Sequence, residues 1–176
     1  MPGSTSHDII TTCLLPPVTC TVWYMYGWQA GTTCGLSFAF AGYMFNGDLD
    51  LMSTPYKRWG PFRFIIWPYL KVMPHRSLFS HGPIIGTAVR LVWLAIVAGL
   101  ISTAVWGITY VARRAGIDVP QLAVNAADVN AVLAWGRRHT LFLRALVGGL
   151  EAGAMSHTGA DVSVSLYKRV RRWFRG

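Results

Sequence analysis

His157 and Asp161 lie four residues apart in the stretch HTGAD, the spacing that puts two side chains on one helix face. An imidazole and a carboxylate placed this way can reach one ion, and together they suit zinc, manganese or iron. GDLD offers a second pair, Asp48 and Asp50, whose carboxylates would point to one side of an extended turn. HRSLFSH supplies His75 and His81, and SHD near the N-terminus supplies His7 and Asp8. With one coordination position left open, such a set would polarise a substrate oxygen and lower the pKa of a bound water. Cysteine takes no part. Cys13, Cys20 and Cys34 lack zinc-finger spacing, are too few for a disulfide framework, and read as small apolar packers.

These side chains carry information because the 176-residue chain is otherwise poor in charge: 53% of it is hydrophobic, 13% is charged, and eight residues are Trp. A typical soluble domain is about 25% charged. No charged residue occurs from Ile9 to Gly47, or from Leu91 to Ala112, and a bilayer span needs about 20 apolar residues. The expectation is an all-α, integral-membrane four-helix bundle, a single domain over residues 1–176 with spans at about 9–26, 32–46, 83–112 and 140–161. A soluble protein with buried helices is the weaker alternative, because soluble helices rarely stay uncharged on every face for so long. Pro16 and Pro17 should kink the first span or end it early, and residues 27–31 (GWQAG) read as a hairpin turn. The first residues, MPGSTSHD, lack the basic start of a cleavable signal peptide.

Between the second and third spans, residues 55–76 interleave Trp59, Phe62, Phe64, Trp67 and Tyr69 with Lys57, Arg58, Arg63, Lys71 and Arg76. Aromatic rings and cations both sit well at lipid headgroups, so this segment should lie in the interface, broken by Pro61 and Pro68. The plainer alternative is a loop with a few buried aromatics. A short helix is expected near Asp128–Trp135, and residues 166–176 form a basic tail. The net charge of +9 would suit nucleic acid in a soluble protein. Here the cations flank the apolar runs, which points to membrane lipid and excludes nucleic acid. Four spans leave ten basic residues on the side of the N-terminus and four on the other. The excess of Lys and Arg on cytoplasmic loops therefore puts both termini in the cytoplasm.

His7, Asp8, Asp48, Asp50, His75, His81, His157 and Asp161 then all fall at the cytoplasmic end of the bundle. Polar residues must sit at membrane boundaries in any case, and that is the competing explanation. His75 and His81 cannot share a site on a regular helix, where six residues rotate the side chain by about 240°. The loop between them must curl, or His81 merely caps a helix with Ser80. Arg76 could hold a substrate phosphate or an anionic lipid through its planar fork. Glu151 lies about 9 Å deeper than His157 along a helix. An ionised group at that depth is functional or paired, so Glu151 is either a catalytic carboxylate at the metal or the partner of Arg90 or Arg144.

The stretches SHD (6–8), GDLDL (47–51), PYKRWGPFRFIIWPY (55–69), PHRSLFSHGPIIGT (74–87) and GLEAGAMSHTGAD (149–161) resemble a family of small bacterial membrane proteins described as metal-binding. More distantly, the order His, Asp-x-Asp, His-Arg-x-x-x-x-His, His-x-x-x-Asp is similar to membrane-bound metal-dependent hydrolases and to zinc-dependent phospholipase C. The resemblance implies a divalent metal, zinc before manganese or iron, held by His7, Asp48, Asp50, His75, His81, His157 and Asp161. It does not extend to residues 113–139. The sequence departs from the hydrolases at Leu78-Phe79-Ser80-His81, where they carry a small residue, any residue, Thr and His, and at Thr158, where a bulkier residue is expected.

Two functions follow from these residues. One is a membrane metallohydrolase acting on a phosphoester or lipid headgroup at the cytoplasmic interface. The other is a non-enzymatic metal-binding scaffold that assembles with other membrane-protein subunits. An open coordination position favours the enzyme and a closed one the scaffold.

Overall fold

The computed structural model describes residues 4–74, 77–120 and 126–174. Among these the chain is helical throughout, with no strand: α1 (Ser4–Tyr26), α2 (Trp28–Met44), a 3-10 turn (Gly47–Asp50), α3 (Thr54–Arg58), a second 3-10 turn (Gly60–Phe62), α4 (Arg63–Val72), α5 (Leu78–His81), α6 (Ile85–Arg114), α7 (Ala126–Arg138) and α8 (Thr140–Trp173). It forms two compact units, Met1–Arg90 with Leu141–Gly176, and Leu91–Thr140.

In the first unit, α1 and α2 form an antiparallel hairpin. The reversal is tighter than the five-residue turn expected. Gly27 alone separates the helices, with φ at 90°, a conformation that costs glycine little because it has no Cβ. Its N–H bonds the Trp23 carbonyl at 2.8 Å. Three residues of one α1 row then meet glycines of α2. A Cβ on Gly31, Gly35 or Gly42 would collide with Trp23, Thr19 or Thr11 respectively. This is close backbone approach through small residues, and the α1 row Trp23, Thr19, Leu15, Thr11 ends at His7. Pro16 and Pro17 sit inside α1 without ending it. The early stop expected there does not occur.

A second row of small residues brings α8 onto α2. A Cβ on Gly149 would strike Ser37 and Cys34, and one on Gly153 would strike Phe38, Ala41 and Gly42. Ala145 joins Ala30 and Cys34 in a buried cluster. Residues 145, 149, 153, 157 and 161 form a single i+4 row, so the row that seats α8 also delivers His157 and Asp161. Where a separate basic tail is expected after 161, α8 continues to Trp173. No Gly or Pro interrupts residues 160–173, so nothing stops the helix.

Of the segment 55–76, residues 55–74 are described and are mostly helical. Its longest element, α4, has ten residues, about 15 Å, half of a bilayer core of about 30 Å. Ile66 and Tyr69 are buried, while Phe62, Phe64 and Trp67 are exposed.

In the second unit, α6 ends in a glycine cap. Gly116 has φ at 81°, and the Ile117 amide bonds back to the Ala112 carbonyl at 3.0 Å. The helix expected near 128–135 is α7, and its thirteen residues extend further at both ends. Among the described residues, two helices are long and apolar enough to cross a membrane, Thr5–Tyr26 and Ile85–Arg114.

Candidate metal centre

The first turn of α1 and the middle of α8 place His7, His157 and Asp161 together. The two imidazoles stack with ring centroids 3.8 Å apart, and His7 Nε2 lies 3.4 Å from Asp161 Oδ1. One donor atom from each of the three falls within 4.8 Å of the others.

The next pair arrives from the end of α2. The Asn46 side chain donates to the Gly42 carbonyl at 2.8 Å and accepts from the Asp48 amide at 3.2 Å. That cap starts a 3-10 turn where an extended one is expected. Asp48 and Asp50 nevertheless converge on one residue. They bracket the His81 ring, with Asp48 Oδ1 at 3.5 Å from Nε2 and Asp50 Oδ2 at 3.7 Å from Nδ1. The other Asp48 oxygen lies 3.1 Å from His157 Nε2, so this one carboxylate spans His157 and His81. Burial would push its pKa up, but the two imidazoles outweigh that and hold it well below the usual carboxylate range.

His81 is set by the loop that carries it. Ser77, not His81, caps α5, its hydroxyl accepting from the Ser80 amide at 3.2 Å. Ser80 is fully buried, its hydroxyl 2.9 Å from His81 Nδ1. The buried Arg90 guanidinium donates to the Ser80 carbonyl at 2.8 Å and to the Thr87 hydroxyl at 3.0 Å. A Cβ on Gly47 would stand 2.8 Å from the His81 ring, so the 3-10 turn seats that ring only because residue 47 has no side chain. Glu151 accepts from the Ile84 amide at 2.8 Å. Ile84 has φ at 62°, a strained conformation for a β-branched residue, and Glu151 pins it.

The donor set fits a divalent ion. His7 Nδ1, both ring nitrogens of His157 and Asp161 Oδ1 are buried without a hydrogen bond, and orphaned buried polar atoms are costly. A cavity of about 200 Å³ opens beside His7, Asp48 and His157.

Of the residues the sequence singles out, His7, Asp48, Asp50, His81, His157 and Asp161 come together, while His75 and Arg76 lie outside the described residues. His139 stands in the second unit, stacked on Trp135 at 4.6 Å. Asp8 turns to Arg58, which grips both carboxylate oxygens at 2.9 and 2.6 Å and the Tyr43 carbonyl at 3.0 Å. Arg58, Asn46, Ser80 and Arg90 are supports that sequence reasoning missed. The one signal that pointed their way was the specificity of the blocks RWGP and HRSLFSHG around Arg58 and Ser80.

An all-helical chain that collects imidazoles and carboxylates at donor spacing defines a metal-binding protein. The chain belongs to the family described as "Uncharacterized metal-binding protein (DUF2227)", matched over residues 2–171. That match includes residues 113–139, beyond the stretches that first carried the likeness. No curated protein and no solved structure matches the chain.

Proposed function

We propose that this protein is an integral-membrane metallohydrolase whose site lies at the cytoplasmic headgroup level. The observation that carries the metal reading is the His7, His157, Asp161 cluster with its orphaned buried donors. Zinc is the first choice, with Asp48 linking this cluster to His81 and Asp50, and with His75 as a further ligand. A bound ion would supply Lewis acidity toward a substrate oxygen and activate water. Around it, His157 and Asp48 orient the donors, Arg90 and Ser80 hold His81, and the cavities beside the cluster admit a ligand. Glu151 acts as a positioning residue, through Ile84.

The membrane part of the reading is supported by exposure. The apolar windows of α1 and α6 are only 6% and 0% buried, whereas a soluble core helix would be mostly covered. Contiguous apolar surface on that scale calls for lipid or a partner. We take α2 and α8 as the other two crossings, giving one membrane domain with both termini cytoplasmic and anionic lipid gathered by residues 56–76.

The test is elemental analysis of detergent-purified protein, followed by assay against soluble and lipid phosphoesters. Zinc at near one equivalent or more, with hydrolysis abolished by His157→Ala, is the expected result. Bound metal without turnover of any phosphoester would favour the scaffold.

A further inference from the structure

We infer that a second cavity, on the α8 side of the cluster, receives the phosphoryl group of a phosphoester, with Arg169 as its recognition residue. This inference rests on the metal reading and names the chemistry of what meets the ion. The cavity measures about 510 Å³, within the range of small-molecule sites. His81 and Asp161 line it together with Thr158, Ser165, Arg169 and Arg172, and along α8 the two arginines follow Asp161 by about two and three turns. All but His81 lie on α8, and the spacings 158, 161, 165, 169 and 172 trace one face. The Cα–Cβ bonds of a helix tilt toward its N-terminus, which for Arg169 is the direction of Asp161.

Three features select an oxyanion. A guanidinium offers a fork of donors that matches phosphate oxygens. Thr158 lines the same cavity, and its hydroxyl is buried without a hydrogen-bond partner. Asp161 is the sole carboxylate lining the cavity among the described residues, and it belongs to the metal cluster, where an ion would offset its charge. Val162 and Leu166 complete the wall and give the organic part of an ester an apolar surface. A phosphoryl group there would bridge the metal cluster and the arginines.

The experiment uses the full chain, zinc-loaded, in phosphatidylcholine nanodiscs, with inorganic phosphate as the probe and zinc content measured on every sample. Arg169→Ala should weaken phosphate binding about tenfold, the scale of losing one charge-assisted contact, with zinc unchanged. Arg171 is not among the cavity residues, and Arg171→Glu makes the same charge change as Arg169→Glu. If Arg169→Glu and Arg171→Glu weaken phosphate equally, or neither does, the site is overturned. Zinc bound normally but no phosphate bound also overturns it and leaves the metal reading intact. Phosphate bound through Arg169 in protein that holds no zinc would sink the metal reading instead. A second arm adds phosphatidic acid to the discs. Displacement of phosphate identifies a lipid headgroup as the source, and lack of displacement identifies a soluble phosphoester. Either result supports the phosphoryl site.

Discussion

His157 Nε2 lies 3.1 Å from Oδ2 of Asp48, yet the imidazole makes no hydrogen bond through either nitrogen. The side chain is only 3% exposed, so water does not compensate it. Burying a polar group without a partner costs about 1–3 kcal/mol, and Nδ1 of this ring, which has no polar contact of its own, bears that cost. The approach is close but out of line for an N–H donor, which is the geometry of two ligands facing one ion.

Metal should therefore stabilise the fold. A ligand that binds only the folded state at 100 times its Kd adds about 2.7 kcal/mol. Thermal unfolding in detergent should shift upward on adding zinc and downward on adding EDTA, and His157→Ala should lose the zinc response. An unchanged midpoint in the wild-type protein would contradict a resident ion.

His7→Ala and His157→Ala should each lower zinc affinity by more than the about 10–100-fold typical of losing an outer partner. His139→Ala should leave it unchanged, since that ring is engaged with Trp135 in the other unit. Equal zinc content across all three, measured by mass spectrometry of the purified proteins, would remove the cluster argument.

Glu151 and Ile84 make a separable prediction. Glu151→Ala frees the Ile84 amide and should loosen the loop bearing His81, lowering zinc affinity about 10–100-fold, as for other outer positions. Ile84→Gly removes a strained φ worth about 1–3 kcal/mol and should raise stability in the wild-type background. If Glu151→Ala abolishes hydrolysis with zinc affinity intact, the carboxylate acts in the chemistry and not through the loop.

The six site residues could be found in the sequence because an apolar chain has few reasons to carry imidazoles and carboxylates, and five of the six lie at the ends of apolar runs. Less legible was what holds them. The one-residue reversal at Gly27 depends on a φ that composition cannot reveal. The turn at Asp48 depends on Asn46, whose capping role appears only once α2 is known to end there. The phosphoryl cavity was hidden because Arg169 reads as part of a basic tail until α8 is seen to run unbroken from Asp161. Glu151 interacts electrostatically with Arg90, as the sequence allows, and also accepts from the Ile84 amide; a backbone partner leaves no trace in side-chain spacing.

The glycine rows carry their own test. Gly35→Ala or Gly42→Ala would drive a methyl into Thr19 or Thr11, and overpacking of this kind costs about 1–3 kcal/mol. Gly148→Ala meets nothing within 4 Å and should gain up to about 1 kcal/mol of helix propensity. Unfolding midpoints that do not separate the two classes would mean the α1–α2 contact is looser than drawn.

Topology is decided by where the cations sit. Ten basic residues flank the proposed cytoplasmic face and four the other, and such an excess on short loops fixes orientation. Cys13, Cys20 and Cys34 are free thiols, so they are first replaced by Ala. Asp118→Cys and Trp173→Cys are then introduced singly, since both positions are exposed. With four crossings, a membrane-impermeant maleimide applied to intact cells should label residue 118 and spare residue 173 until the cells are opened. Two crossings, by α1 and α6 alone, would put residue 118 on the same side as residue 173, so that the two are spared, or labelled, together. That outcome would take α2 and α8 out of the membrane. The inverse pattern, residue 173 labelled and residue 118 protected, would turn the whole site to face outward and end the proposal of a cytoplasmic substrate.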